Sequence, residues 1–517
     1  MKAAAALNLN PLLKIAVMLM IGILIGRSLS ASVGIIPWIF LTIATLLSAA
    51  LFICNKSLKN LSLLASILAL GGFLATTKEK SLKTPLPKGE TYYEAIILSE
   101  PVEHGKVIMM DLGVLVPDGI MKIKASLLRD TLTNRYRTLH VGDGIEAFSE
   151  ITAPYGLPNS RFNYGEWLRM HNFAGQTFIY YNEWCEAELD LTNLSYLDRT
   201  IIALRRYRQK LIQRYERIGL SDQELAIVTA MTLGDKHLID KETKENFSIS
   251  GASHVLALSG LHLSIVYGIL AYLLSLIAGI PFLGWLRRSG ISELLVLGAV
   301  WSYVFLVGFS PSVVRSAIML TIYSAISMLD RNKFSLNTLA LSAIVMLVVN
   351  PFILYDVGFQ LSFAAVTSIL LFIPIFFSMF SRIWLQRHLF FRSIYGMLVI
   401  SLSAQLGTAP LIAYYFGRFS CYSLFTNIIV VPCAALILYS SLVLLFSEPF
   451  STLQSYVAEF LTAISRTMNH VTAFVSHLPG ASIEHINISV VQTSLLYVLL
   501  LFTYLIISFF TRRIDFR

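Results

Sequence analysis

Residues 421–446 read CYSLFTNIIVVPCAALILYSSLVLLF, a run of mainly apolar residues without a single charged side chain. An α-helix needs about 20 such residues to cross the hydrocarbon of a bilayer. This run is therefore long enough to span a membrane, and the sequence on both sides of it repeats the pattern.

Together with 421–446, the other apolar runs predict about 12 spans, and short runs such as 335–349 are candidates for re-entrant segments. Hydrophobic residues make up 56% of the chain and charged residues 14%, whereas a soluble domain carries about 25% charged residues. One water-soluble core is excluded, and the fold class is a polytopic α-helical membrane protein. The remaining runs are 12–29, 33–54, 61–76, 253–277, 291–308, 312–329, 335–349, 359–379, 393–416, 453–475 and 490–511.

Residues 78–198 interrupt the apolar runs with frequent charges and short stretches in which apolar and polar residues alternate. Such stretches, separated by turn residues, predict a small all-β barrel or sandwich. The turn residues include Pro117-Asp118-Gly119, Gly142-Asp143-Gly144, Pro154 and Pro158. The expected strands are 92–98, 106–112, 120–127, 144–151 and 176–181.

Positive loops indicate the orientation, because short loops rich in Lys and Arg stay in the cytoplasm. Lys56 and Lys59 lie between the second and third of the three N-terminal spans, which occupy 1–77. We therefore expect a cytoplasmic N-terminus and an extracytoplasmic β domain. Later basic clusters fit the same orientation at Arg287-Arg288, Arg331 with Lys333, Arg382 to Arg392, and Arg512-Arg513.

A basic amphipathic segment, 199–217, follows the β domain and begins a region of interfacial helices that extends to residue 250. Apolar residues recur at helical spacing, and Lys and Arg fill much of the remaining surface. The segment fits either a helix that lies on anionic headgroups or a basic collar that meets an incoming polyanion. We call it the basic collar, and it comprises Arg205, Arg206, Arg208, Lys210, Arg214 and Arg217.

Catalytic signatures are missing from the sequence. It contains no GxxxxGK[ST] phosphate loop, no HExxH and no GxSxG, and its four cysteines have no metal-ligand spacing. We therefore expect no catalytic residues, no resident metal and no cofactor, and any work must be driven from outside this chain.

Polar side chains within apolar runs of 251–517 are the candidate site, because burying them in a membrane costs free energy. They could line a path, or they could hydrogen-bond neighbouring helices together. Arg315 could extend to the outer interface or point into an aqueous path. In a continuous helix, His254 and His262 would share one broad face. The candidates are His254, Ser259, His262, Arg315, Asp356, Gln360, Ser362, Gln405, Thr408 and Asn427.

These blocks resemble the ComEC family of competence proteins, and they occur in the family's order over about residues 20–510. The matching stretches are Gly251 to His262, Pro311 to Met319, Asn350-Pro351 with Asp356 to Phe363, Ala409-Pro410, Asn427, Pro432, Gly142-Asp143, and Asn159 with Phe162 to Leu168.

The resemblance implies an inner-membrane channel that passes single-stranded DNA into the cytoplasm during natural transformation, formed by 251–517. It implies an OB-like soluble domain, contact with membrane lipids, an extracytoplasmic DNA receptor and a separate cytoplasmic DNA-translocating ATPase. Many family members continue into a metallo-β-lactamase-like domain, but this sequence has no HxHxDH motif. Nuclease activity is therefore expected from a separate protein.

Two other functions share the same polar features. A transporter of a lipid-linked or small anionic substrate would also line a path with them. A membrane zinc hydrolase would use His254 and His262.

Overall fold

The computed structural model describes residues 10–30, 32–52, 55–82, 86–117, 119–130, 132–156, 163–189, 195–278, 291–328 and 335–514, without the side chains of 197, 277, 278, 382 and 511–514. Asp118, Pro158, Asn159, Phe162, Arg287, Arg288, Arg331 and Lys333, all named above, lie outside the described residues, as do the side chains of Arg382, Arg512 and Arg513. The chain forms two compact units. Met1–Lys210 with Ala343–Asp356 makes the first, and Leu211–Ser342 with Val357–Arg517 makes the second.

Three apolar helices open the first unit: α1 (Pro11–Leu29), α2 (Ile35–Leu51) and α3 (Lys56–Ser81). Glycines allow α1 and α3 to pack backbone against backbone. A Cβ atom on Gly22 would lie 2.0 Å from the carbonyl oxygen of Leu68, and one on Gly26 would lie 2.5 Å from Cα of Gly72. Spacing of small residues by four positions is a common interface between membrane helices.

The β domain is a small barrel. Strands β1, β3, β4, β6 and β5 pair in that order, and β5 pairs with β1 to close the barrel. The β4–β6 pairing is parallel and the other pairings are antiparallel. The strands are β1 (Glu90–Ile97), β2 (Val102–His104), β3 (Val107–Val116), β4 (Gly119–Leu128), β5 (Gly144–Thr152), β6 (Gly175–Ile179) and β7 (Trp184–Ala187).

All five predicted strands are confirmed, as β1, β3, β4, β5 and β6. Two short strands were not predicted: β2 pairs with β3, and β7 pairs with β5. The short helix α4 (Tyr164–Met170) was not predicted either. Such short elements carry too little periodicity for a sequence pattern to distinguish them from loops.

Polar contacts join the segment around α4 to the membrane helices of the same unit. Arg27 of α1 forms an ion pair with Glu166, and Nζ of Lys78 on α3 donates a hydrogen bond to Asn172 over 3.0 Å. The guanidinium of Arg27 also lies 4.0 Å from the ring centroid of Tyr355. The barrel is therefore held to α1 and α3 by side-chain contacts as well as by the covalent backbone.

The basic collar lies in helix α5 (Tyr196–Arg217), as its periodicity predicted. In the first unit, Ile202 of α5 is buried with Ile96 of β1, and Leu98, Leu115 and Ile120 pack around them. The apolar stripe of α5 thus covers part of the outer barrel surface.

The second unit is helical. Its elements are α6 (Asp222–Thr232), α7 (Lys241–Ile249), α8 (Ser253–Leu256), α9 (Gly260–Ala278), α10 (Ile291–Val307), α11 (Pro311–Met328), α13 (Val357–Phe377), α14 (Arg382–Arg387), α15 (Leu389–Phe416), α16 (Ser423–Phe446), α17 (Ser451–Ser476) and α18 (Val490–Ile514), with a two-stranded sheet of β8 (Phe419–Ser420) and β9 (Ser482–Ile483). Helix α12 (Leu336–Val349) crosses the unit boundary, and the 3₁₀ turn Pro351–Tyr355 belongs to the first unit.

Seven described helices are long and apolar enough to cross a membrane: α1, α3, α11, α13, α15, α16 and α18. Helices α2, α9, α10 and α12 are apolar but shorter. Helix α17, expected as a span, is in neither group. It carries Glu459 and Arg466, and Arg466 pairs with Glu224 over 3.0 Å. The total of about 12 spans stays a prediction.

Five helices of the second unit contact one another in a closed ring. Helix α9 packs against α11, α11 against α13, α13 against α15, α15 against α16, and α16 against α9. This ring holds most of the polar candidates.

Candidate functional site

The two histidines do not lie on one helix. The predicted continuous helix 253–277 is wrong here, because α8 ends at Leu256 and α9 begins at Gly260. In the break, the backbone N–H of Ser259 donates to Nδ1 of His262 over 3.3 Å, and Oγ of Ser259 lies 3.0 Å from the same nitrogen. His262 thus takes the place that Glu or Gln has in a capping box.

This bond fixes the tautomer of His262. Because Nδ1 accepts from a backbone N–H, the proton of the neutral ring lies on Nε2. His262 is only 1% exposed, and within the described residues its Nε2 makes no hydrogen bond. A buried donor without an acceptor is costly. His254 is exposed by contrast, and its Nδ1 lies 3.2 Å from the carbonyl oxygen of Gly251.

Arg315 points into the protein. It is 3% exposed, and its Nη2 donates to Oγ of Ser312 over 3.1 Å and to Oγ of Ser362 over 3.3 Å. The second bond joins α11 to α13. That Arg315 points into an aqueous path stays a prediction.

Helix α9 approaches α11 closely beside Arg315. A Cβ atom on Gly260 would lie 3.0 Å from Oγ of Ser316, the residue after Arg315. The block around His262 is therefore adjacent to the block around Arg315, although more than 50 residues separate them in the sequence.

The interface between α13 and α15 is polar and tightly packed. The hydroxyl of Tyr415 donates to Oε1 of Gln360 over 2.8 Å. Gly407 lies against α13, where a Cβ atom would approach the carbonyl oxygen of Ala364 to 2.5 Å. Thr408 bonds its own helix instead, through the carbonyl oxygen of Ala404 over 3.0 Å.

Pro410 lies inside α15, three residues after Gly407. A proline removes one helical hydrogen bond and opens the ladder around it. The hydroxyl of Tyr497 on α18 donates to the carbonyl oxygen of Gly407 over 2.7 Å. A neighbouring helix thus provides a hydrogen bond to a backbone carbonyl close to the proline, as membrane proteins require.

Polar groups also lie where α15, β8, the start of α16 and the segment before α8 meet. Nε2 of Gln405 donates to the carbonyl oxygen of Ser420 over 3.2 Å. A Cβ atom on Gly251 would lie 2.5 Å from Cβ of Ser423 and 2.8 Å from Oγ of Ser420. Oδ1 of Asn427, one turn into α16, is buried and makes no hydrogen bond within the described residues.

Nine of the ten candidates lie in the second unit. They or their neighbours lie where α9 meets α11, where α11 meets α13 and where α13 meets α15. Asp356 is the exception. It ends the 3₁₀ turn in the first unit, where its Oδ2 lies 3.8 Å from Nε2 of His171. The sequence missed Ser312, Ser316, Gly407, Tyr415, Ser420, Ser423 and Tyr497; hydroxyl groups and glycines in apolar runs were the only signal available.

Members of the basic collar differ in what they contact. Arg206 donates through Nη2 to the carbonyl oxygen of Gly142 over 2.7 Å, and Arg214 to that of Leu445 over 3.1 Å and to Glu448. Arg217 donates to the carbonyl oxygen of Gln213 on its own helix over 3.4 Å. An open groove of about 410 Å³ on α5 is lined by Arg199, Ile202, Ala203, Arg206, Tyr207 and Lys210.

Within the described ranges, no group of three or more His, Cys, Asp or Glu side chains is placed to hold a metal ion. The side chains that converge are hydroxyls, amides, one guanidinium and one neutral imidazole. All of these groups donate hydrogen bonds to anions, and the hydroxyls and amides also accept them from polar ligands.

Seven apolar helices that are long enough to cross a membrane, together with a small β-barrel, define a polytopic membrane protein with a small β domain. A sequence model of the family described as "Competence protein" matches residues 231–510, more than half of the chain. The chain belongs to the ComEC family of competence proteins.

The chain is 29% identical over 351 residues to ComE operon protein 3 of Bacillus subtilis (strain 168), which covers 67% of this chain and 41% of that protein. It is 30% identical over 209 residues to an uncharacterized protein of Aquifex aeolicus (strain VF5), covering 40% of this chain and 45% of that protein. The chain thus spans less than half of the length of these relatives. No solved structure matches it significantly.

Proposed function

We propose that this protein is a channel for DNA uptake in natural transformation, through which a single strand enters the cytoplasm. The ring of α9, α11, α13, α15 and α16 is the path, and the protein lies in the bacterial inner membrane. The observation that carries the proposal is that polar contacts of candidate residues join consecutive members of this closed ring, from α11 to α13 through Arg315 and Ser362 and from α13 to α15 through Gln360 and Tyr415.

The chemistry of the ring suits a polyanion. Arg315 supplies a positive charge, and the Nε2–H of His262 is a donor that no described residue uses. Hydroxyls and amides that exchange partners let a strand move past without binding tightly, which conduction requires. Asp356 belongs to the first unit and, with His171, is a candidate for holding that unit together.

The proposed channel is passive. The sequence has no phosphate loop for ATP, so a cytoplasmic DNA-translocating ATPase would pull the strand. A separate nuclease would degrade the other strand, and an extracytoplasmic receptor would deliver the DNA.

The barrel supports an OB-like identity for the soluble domain. Leaving out the short strands β2 and β7, its five strands pair in the order first, second, third, fifth, fourth and back to first. OB-folds are five-stranded Greek-key barrels that bind oligonucleotides. We place this domain and the basic collar on the extracytoplasmic side, with the N-terminus in the cytoplasm, from the positive loops.

A deletion strain tests the proposal. Cells that lack the protein should bind labelled duplex DNA at the surface but accumulate no labelled single strands in the cytoplasm. Normal accumulation would reject the proposal and favour a transporter of a lipid-linked or small anionic substrate. Complementation by the unaltered chain is the control.

A further inference from the structure

The turn between α13 and α15 carries positive charge and no carboxylate. Arg387 ends the short helix α14 in this turn, Arg392 lies in the first turn of α15, and both side chains are exposed. Within the described residues, neither guanidinium makes a hydrogen bond or an ion pair. The sequence has no Asp or Glu between Asp356 and Glu448. The turn is therefore a cationic surface without a counter-charge of its own.

Aromatic rings in the same turn stack on one another. The ring of Trp384 lies 5.6 Å from that of Phe380 and 4.5 Å from that of His388, and it is within 30° of parallel to both. Phe391 stacks on Tyr395 at 5.8 Å and meets Trp384 edge to face at 4.8 Å. The rings therefore form one connected cluster, which we call the aromatic platform.

Large apolar side chains surround the aromatic platform and are strongly exposed. They are Met379, Ile383, Leu389 and Phe390, and Phe390 is 81% exposed. A contiguous exposed apolar patch marks a surface that contacts another molecule or a membrane. The patch lies between two candidate membrane spans, α13 and α15, and rings such as that of Trp384 are typical of the level where acyl chains meet headgroups.

We infer that this turn is a binding site for an anionic phospholipid, with the phosphate at Arg387 and Arg392 and the acyl chains against Ile383, Leu389 and Phe390. A guanidinium matches the geometry of a phosphate and can hold it through two hydrogen bonds. Cations beside an exposed apolar surface suit a ligand that has both an anionic head and an apolar tail. This lipid site goes beyond the proposed function and does not depend on it.

Other phosphate ligands would use only part of the surface. A single nucleic acid strand needs ring faces on which its bases can stack. Most rings of the platform stack on one another instead, and Met379, Ile383 and Leu389 are not aromatic. Free phosphate would contact the two arginines and leave the apolar patch in water. The combination of charge and apolar surface therefore favours a lipid.

The site lies where two neighbouring helices of the ring are joined. The hydroxyl of Tyr395 on α15 donates to the carbonyl oxygen of Phe376 on α13 over 2.7 Å. The aromatic platform thus holds the end of α13 against the start of α15. A lipid bound across this turn would add to the same connection.

The test is quenching of Trp384 fluorescence in the full chain, reconstituted in nanodiscs that contain phosphatidylglycerol or phosphatidylcholine brominated in the acyl chains. Bromine quenches by contact, and subtracting the spectrum of the matching Trp384→Phe protein isolates the signal of Trp384. The unaltered chain should be quenched more strongly by the anionic lipid at equal mole fraction. Each arginine near an anionic surface contributes about fivefold to the attraction. Arg387→Gln with Arg392→Gln should therefore lower the preference for phosphatidylglycerol by about fivefold or more.

Two variants control for charge. Arg387→Lys with Arg392→Lys keeps both charges and should retain most of the preference. Lys88→Gln with Lys106→Gln removes the same net charge from exposed positions of the β domain and should leave the preference unchanged. Raising the salt concentration should weaken the preference of the unaltered chain, because salt screens exposed charges.

Three results would overturn the lipid site. One is equal quenching of the unaltered chain by the two lipids, and another is an unchanged preference in the double glutamine variant. The third is an equal loss of preference in the β-domain control, since net charge rather than this turn would then be responsible. If the double glutamine variant instead loses binding of a fluorescent oligothymidylate while its lipid preference is unchanged, the turn binds a strand and the inference is wrong.

Discussion

Replacing Arg315 by Gln distinguishes the contribution of its positive charge to transport from the contribution of its hydrogen bond to the fold. The guanidinium is 3% exposed and joins α11 to α13 through Ser362, at 3.3 Å. A hydrogen bond from a charged group contributes about 1.5–3 kcal/mol, and Gln can replace part of it. The fold should therefore lose little, because Gln keeps part of this bond.

The effect on transport should be much larger. A phosphate that passes about 4 Å from the guanidinium is attracted by about 4 kcal/mol at an effective dielectric constant of 20, and a neutral amide loses this attraction. Uptake should fall by up to about a thousandfold in Arg315→Gln. Arg315→Lys keeps the charge and should retain much of the activity.

The assay is transformation frequency together with internalised labelled strand, normalised to the amount of protein in the membrane. Ser362→Ala is the matched control, because it breaks the same α11–α13 bond and keeps the charge. Uptake in Arg315→Gln equal to that of the unaltered chain would refute the reasoning. So would a Ser362→Ala defect as deep as that of Arg315→Gln, since the bond rather than the charge would then matter.

The remaining predictions concern the cap, the helix packing and the barrel. His262→Gln keeps both the cap and a donor and should retain uptake, whereas His262→Glu keeps the cap alone and should lose it; equal uptake in the two would limit His262 to capping. Gly407→Ala forces α13 and α15 apart and should cost about 1–3 kcal/mol in thermal unfolding, while Gly396→Ala in the same helix, whose Cβ would meet its nearest atom at 3.8 Å, should be nearly neutral. Burial raises the pKa of Asp111, but Lys124 and Lys122 outweigh it and hold the pKa below the ordinary value. Its stabilising contribution is therefore present above about pH 4 and is lost as the pH falls through the folded pKa. In thermal unfolding, the unaltered chain should be more stable than Asp111→Asn at neutral pH, and the difference should disappear in acid; a difference that stays the same at both pH values would contradict this role of Asp111.

Hydropathy and alternation predicted where most elements lie, because burial in lipid or in a barrel selects apolar residues at a fixed period. The run 421–446 became α16 (Ser423–Phe446), and the predicted strand 120–127 became β4. The break at 257–259 was not predicted, because its residues are as apolar as a helix requires. The bond from Ser259 to His262 caps the start of α9 there, and it is a local alternative to the helical ladder.

The candidate site was predicted as a set of residues and not as an arrangement. Sequence shows that Arg315 and Ser362 are polar within apolar runs, but their contact depends on how α11 meets α13. The glycines that permit close approach carry no chemistry of their own, so Gly407 was recognisable only from the atoms opposite it. Membrane helices associate through such close packing and a few hydrogen bonds, which single-sequence patterns do not encode.

The central claim is that a single strand passes through the ring of α9, α11, α13, α15 and α16. It is tested most directly by photocrosslinking in competent cells during uptake, with a photoreactive residue at Gln360 in the ring or at Leu499, which is 61% exposed on α18. The account predicts crosslinks to incoming DNA from position 360 and none from position 499. Crosslinks from 499 alone, or from neither position while uptake continues, would contradict it.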